Sequence, residues 1–153
     1  MRGRSVGALG LAVTIAAGTV VALQASRQAG KTPPAAASKS GWQIPPEAEA
    51  TKNPLTVDAK VLSTGKAIFK DKCEKCHGPS GRGDGPDADP DAVEDMDLTN
   101  PRRAARNPEG VMFFKVWNGR KKPKMEAFKD ELTKEQVWAV VAYVQTLRKA
   151  ATE

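Results

Sequence analysis

Within five consecutive positions, Cys73-Glu74-Lys75-Cys76-His77, the chain places both of its cysteines and its only histidine. The pattern C-x-x-C-H is that of covalent c-type haem attachment. Thiols at i and i+3 can add to the two vinyl groups on one edge of a haem, leaving two thioether bonds. The adjacent imidazole can then bind the iron through a ring nitrogen. Three other readings of close cysteines are weaker. A structural zinc site needs four ligands, and no second Cys or His pair exists to complete one. A thioredoxin-like pair belongs after a strand at a helix start, whereas the residues before Cys73 have a helical pattern. A structural disulfide would leave His77 without a role. The motif therefore predicts one covalently bound c-type haem, with Cys73 and Cys76 as thioether sites and His77 as an axial iron ligand.

A buried haem would also supply core. With Trp 3, Tyr 1 and Phe 4 in 153 residues, the chain has few large apolar side chains of its own. Small domains often need such a staple, and the haem-free chain is expected to fold poorly. The net charge of +6 is uneven. Arg2, Arg4 and Arg27 lie in an N-terminal stretch without acids, and from Lys31 onward 21 basic residues face 18 acidic ones. That balance is too mild to indicate nucleic acid, and no nucleic-acid motif accompanies it.

Residues 6–23 run without a charge behind a short basic start. The length suits either a long signal sequence or a short membrane anchor, and an uncleaved anchor is favoured because the cleavage signal near Ala25 is weak. Arg2 and Arg4 favour a cytoplasmic N-terminus, so both readings export the chain beyond Leu23. Covalent haem attachment occurs on that outer side in bacteria, which points to the periplasmic side of the inner membrane, anchored or soluble. The expected organisation is residues 1–25 as signal peptide or anchor, 26–54 as flexible linker and 55–153 as haem domain. Around Trp42, Ile44 and Pro45-Pro46 the linker is less bland, and a strap lying on the domain competes with an ordered piece of tether.

Inside the domain, Leu62, Phe69 and Cys73 share one face of a helix over Leu62–Lys75. Gly65 within it marks either close approach of another helix or simple tolerance. A long loop follows His77, then an acidic run (Asp87, Asp89, Asp91, Glu94, Asp95, Asp97) whose spacing does not match an EF-hand calcium loop. Wrapping one edge of a haem would account for the loop. Asn107 and Pro108 are expected as N-cap and first residue of a second helix, with Val111, Phe114, Met112 and Trp117 facing inward and Gly119 ending it. Thr133 and Gln136 form a capping box before a last helix with an apolar stripe of Val137, Val140, Val141, Val144 and Leu147. Arg148 and Lys149 suit that helix's C-terminal dipole.

The iron needs a partner opposite His77, and with no other histidine a thioether is the obvious donor; His/Met ligation raises the reduction potential. Met125, in an irregular Lys/Pro-rich stretch between two helices, is the expected ligand. Met96 is next, and an open site third. Met112 sits on an apolar face where space-filling is the natural role.

These residues resemble a class I c-type cytochrome of the bacterial monohaem kind over about Leu62 to Lys149. The resemblance rests on Cys73-Glu-Lys-Cys-His-Gly78, on Gly81-Arg-Gly-Asp-Gly-Pro86, on Asp97-Leu98-Thr99, and on Met125-x-x-Phe128 followed by Leu132-Thr133 and Trp138…Tyr143…Leu147. It implies an all-α fold whose first and last helices cross, with Gly65 and Phe69 against the face carrying Tyr143, and electron transfer at an exposed haem edge. It further implies that the Pro86 carbonyl orients the ligating histidine. Members commonly carry Pro directly after the ligand Met; here Glu126 stands there and Pro123 lies two residues before Met125.

The expected function is that of an electron carrier in a respiratory chain, with no small-molecule substrate and no enzyme activity of its own. Arg120, Lys121, Lys122 and Lys124 beside Met125, with Lys72 and Lys75 beside the motif, form either a basic rim for acidic redox partners or a solvated polar loop. A small-ligand haem sensor and a haem subunit of a larger respiratory oxidoreductase are the competing readings.

Overall fold

The computed structural model describes residues 41–153. The hydrophobic segment 6–23, the proposed cleavage region and the first part of the expected linker lie outside the described residues. The elements in order are α1 (Pro46–Ala50), α2 (Ala59–Lys72), α3 (Glu74–His77), a 3-10 turn (Pro90–Ala92), α4 (Val93–Met96), α5 (Pro101–Ala105), α6 (Glu109–Asn118) and α7 (Lys134–Ala150). The fold is all-α, and among the described residues only two isolated β-bridges interrupt it, Arg82 with Asp97 and Arg120 with Met125. Among these residues no helix is long and apolar enough to cross a membrane.

Helix α2 begins three residues earlier than the apolar periodicity indicates, because Asp58 caps it: its Oδ1 accepts from the Val61 N–H at 2.8 Å. Helix α2 packs across α7 at Gly65. A Cβ there would overlap the Ala139 carbonyl, with the carbonyl carbon only 2.6 Å away and the Tyr143 Cβ at 3.0 Å. Of the two readings of this glycine, close approach is the one observed. One turn on, Phe69 is 2% exposed and meets the Tyr143 ring at 5.4 Å between centroids, tilted by 60°. The crossing thus sets the height of Phe69, and Cys73 follows one turn later.

Helix α7 has the expected capping box, the Thr133 N–H donating to Gln136 Oε1 at 2.8 Å and the Gln136 N–H to Thr133 Oγ1 at 3.3 Å. The valines of its stripe are buried, Val137 and Val141 completely, while Leu147 is half-buried. Each such side chain contributes about 1.5–3 kcal/mol when fully removed from water. Helix α6 lies against α7 through Phe113, which stacks on Trp138 at 4.4 Å and 22°. Its buried positions are Gly110, Val111, Met112 and Val116, while Phe114 and Trp117 are only half-buried. Its N-cap is Pro108, not Asn107. The Asn107 amide is used elsewhere: Nδ2 donates to the Arg103 carbonyl at 2.6 Å, closing α5, and Oδ1 accepts from Lys115 Nζ.

The ordered unit also reaches upstream of residue 55. Ala48 on α1 is buried against the start of α6. Asn53 donates from Nδ2 to the Trp138 carbonyl at 3.1 Å and turns the chain by accepting from the Leu55 N–H at 3.0 Å. Within the stretch 26–54, residues 42–53 therefore lie on the domain as a strap, tied down by burial and backbone hydrogen bonds that composition does not reveal.

Candidate functional site

The motif is a second helical turn set on the end of α2. Cys73 closes α2, its N–H donating to the Phe69 carbonyl at 2.8 Å, and its own carbonyl accepts from the His77 N–H at 2.9 Å to open α3. Both cysteines are free, half-buried thiols on the wall of one cavity. Burial, with smaller contributions from Cys76 and Asp71, pushes the Cys73 thiol up to about 12. A dithiol-exchange centre needs the opposite shift, a stabilised thiolate.

His77 is oriented by a backbone carbonyl. Its Nδ1 lies 2.7 Å from Met96 O. A carbonyl only accepts, so Nδ1 carries the proton and Nε2 keeps the lone pair that a metal would take. Burial lowers the His77 pKa, the Met96 bond acting in the other direction, so the ring is held in the neutral form that ligation requires. Pro86, whose carbonyl was expected here, is exposed. The path of the loop brings the Met96 carbonyl, not that of Pro86, to the ring. Gly83, at φ +78°, donates its N–H to the His77 carbonyl at 2.8 Å, and Leu98 donates to the Gly81 carbonyl at 2.7 Å. These contacts fold the end of α4 back under the imidazole, with the Cβ of any residue at 83 only 2.9 Å from Val93 O.

Three acids of the run serve separate local bonds. Asp89 accepts from the Asp91 N–H, Asp97 from Thr99 and Asn100, and Asp95 pairs with arginines. Among the described residues no cluster of three or more His, Cys, Asp or Glu could hold a metal ion.

The cavity has a volume of about 230 Å³ and is open to solvent on one side. Phe69, Met112 and Val116 line its apolar part, with Val140, Val141 and Val144 from α7. Met125 enters from the loop after α6. Arg120 and Met125 exchange two backbone hydrogen bonds of 2.8 and 2.9 Å, and Phe128 donates to the Val116 carbonyl at 3.1 Å. The loop that composition marks as irregular is thus closed upon itself, with Met125 packed beside Val116, Phe128 and Val137. Four cations, Arg103, Lys115, Arg120 and Arg148, also line the cavity, two of them paired with Asp95, and Trp42 from the strap lines it too.

A family model described as Cytochrome c matches residues 62–148, more than half of the chain. The chain belongs to the cytochrome c family. A comparison with curated proteins returned no match. As a cytochrome c, the protein performs haem-based electron transfer on a covalently bound c-type haem iron.

The residues of this cytochrome c fit that group. Two thiols on one wall suit two vinyl groups. An imidazole with its Nε2 lone pair kept suits the iron. The valine and phenylalanine lining suits an apolar macrocycle, and the lining cations suit carboxylates. Three of the four inward cations escape a reading by charge run. Of the charges in Arg120-Lys121-Lys122-Pro123-Lys124, only that of Arg120 is withdrawn from solvent, its side chain 11% exposed, while the three lysines are exposed. Arg148 continues the stripe Val137, Val141, Val144 on α7, a position where a charge signals an inward polar site. It donates from Nε to the Leu98 carbonyl and from Nη1 to the Asn107 carbonyl, both at 3.0 Å. Lys115 follows Met112 by three positions on α6. Burial first, then Arg103 and Arg120, bring it down to about 8.

Asp95 holds two of these cations, with Arg103 at 2.7 Å and Arg120 at 3.2 Å. Burial works to raise its pKa, but the two guanidinium groups outweigh it and hold the carboxyl below its ordinary 3.8. A carboxyl lowered on folding stabilises the fold above its unfolded pKa and loses that effect as pH falls through the folded value. Asp95→Asn is therefore expected to destabilise the haem-loaded protein at pH 7, with the gap to wild type closing below about pH 4. Urea denaturation across this range checks it, and parallel wild-type and mutant curves down to pH 2 would refute the assignment.

Proposed function

We propose that this cytochrome c is a monohaem, His/Met-ligated carrier of class I, working on the periplasmic side of the inner membrane in a respiratory chain. The observation that carries the reading is that His77 and Met125 line the same apolar cavity, each fixed by backbone hydrogen bonds. Cys73 and Cys76 would tether the haem, His77 Nε2 would take one axial position and Met125 Sδ the other. Bound haem supplies a one-electron ferric/ferrous couple. The chain's part is to hold both ligands through the redox change, keep water out with the valine face of α7, and match the haem carboxylates with cations. Met96 is a poor alternative ligand, because its carbonyl is committed to the His77 ring and so sits on the wrong side to oppose it. Residues 6–23, with Arg2 and Arg4 before them, support export and a membrane tether. Exposed Lys121, Lys122 and Lys124 beside Met125 suit a brief complex with an acidic redox protein.

The test is a reductive titration of the haem-loaded protein with carbon monoxide present. A reversible one-electron transition with an unchanged ferrous spectrum is expected, since both axial positions are filled. A ferrous spectrum shifted by carbon monoxide would mean an exchangeable sixth site and would overturn the carrier reading.

A further inference from the structure

The family match begins at residue 62, yet the cavity does not stop there. Trp42 lines it from the strap, twenty residues upstream. Its ring is approached by two cations, Lys115 Nζ at 5.3 Å and the Arg120 guanidinium at 5.1 Å from the centroid. Both cations line the cavity themselves. We propose that Trp42 is a positioning residue of the haem pocket, holding Lys115 and Arg120 over the haem's carboxylate edge and away from water, and thereby raising the reduction potential.

The argument is electrostatic. Two like charges near one another repel, and the negative face of an indole ring within reach of both lowers that cost. With every charged lining residue counted, seven cations against four acids and two haem carboxylates would leave one positive charge in excess. That excess favours the ferrous form, which carries one charge less than the ferric. Its effect is strong only while water is kept from the cluster, because effective interaction falls steeply as the local dielectric rises. The strap has the anchoring this role needs, since Pro45, Ala48 and Asn53 tie it to its own helical turn, to α6 and to the Trp138 carbonyl. The depressed Lys115 pKa agrees with a cation short of counter-charge until an anion arrives.

The proposal rests on haem occupying this cavity, so the test reads occupancy and potential separately. Full-length, haem-loaded wild type, Trp42→Phe and Trp42→Leu would be titrated spectroelectrochemically at pH 7. Both replacements fill space, and only Phe keeps a π face. Trp42→Leu should lower the equilibrium constant for reduction about threefold, roughly 28 mV at the ~59 mV per tenfold of a one-electron couple. Trp42→Phe should keep most of the wild-type value. In a Lys115→Gln background the Leu effect should shrink, which a general packing role would not produce. Equal potentials for all three proteins, or equal losses for Phe and Leu, would overturn the proposal. Carbon monoxide binding by the wild type would instead count against the ligation proposed above, while the Trp42 comparison is still read from the same titrations.

Discussion

Met125→Ala is expected to convert a closed haem site into an open one. The loop should survive, because it is held by the backbone exchange between Arg120 and Met125 and by Phe128 on Val116, none of which involves the thioether. The sulfur donor is lost, together with the side-chain packing on Val116, Phe128 and Val137. The weak near-infrared charge-transfer band of a thioether on ferric haem should disappear, and the ferrous protein should begin to bind carbon monoxide. The potential should fall by on the order of 0.1 V, a fraction of the roughly 0.8 V span that axial ligation controls. Met96→Ala is the matched control. It retains the carbonyl that holds His77 Nδ1 and should keep the band. A band that survives in Met125→Ala and vanishes in Met96→Ala would reverse the ligand assignment.

Gly65→Ala should be strongly destabilising, against what helix propensity alone would say. Ala is the better helix residue by about 1 kcal/mol. The added methyl, however, would overlap the Ala139 carbonyl and stand 2.6 Å from its carbon, where the opposing atoms are backbone and cannot rotate away. Overpacking of this kind costs about 1–3 kcal/mol and occasionally more. Because the clash falls on two long helices at their crossing, a net loss of about 2 kcal/mol is expected in guanidinium denaturation of the haem-loaded protein. A variant as stable as wild type would show that the helices separate at little cost. The displacement would also carry Phe69 and Cys73, which follow Gly65 at helical spacing on α2 and its end, so slower or incomplete haem attachment should accompany the lost stability.

The features that were legible beforehand are those in which chemistry depends on near neighbours along the chain. The spacing of Cys73, Cys76 and His77 is set by covalent bonds, and so is the reach from Thr133 to Gln136. The stripe on α7 is a periodic signal of a helix facing a core, whereas at Gly65 two readings stayed open until the Ala139 carbonyl was seen against it. The proposal of Met125 as the second ligand has the same local basis, since a thioether in a chain with one histidine has few competitors. Pro108 displaced Asn107 as N-cap because the Asn107 amide is drawn to Arg103 and Lys115, a competition invisible to a cap rule.

By itself, then, the sequence determined the chemical class of the site: two thiols and an imidazole on a helical chain, with apolar faces able to close around a flat cofactor. Only the tertiary structure decided which groups serve those residues from a distance. Met96 rather than Pro86 orients His77 because a glycine-shaped loop of some twenty residues returns α4 beneath the ring. Arg103, Lys115, Arg120 and Arg148 converge although they are spread over α5, α6, a loop and α7, and Trp42 joins them from a strap outside the family match. The physical reason is that bond geometry fixes separations of a few residues, whereas contacts across dozens of residues exist only once burial of the helix faces has chosen one path for the chain.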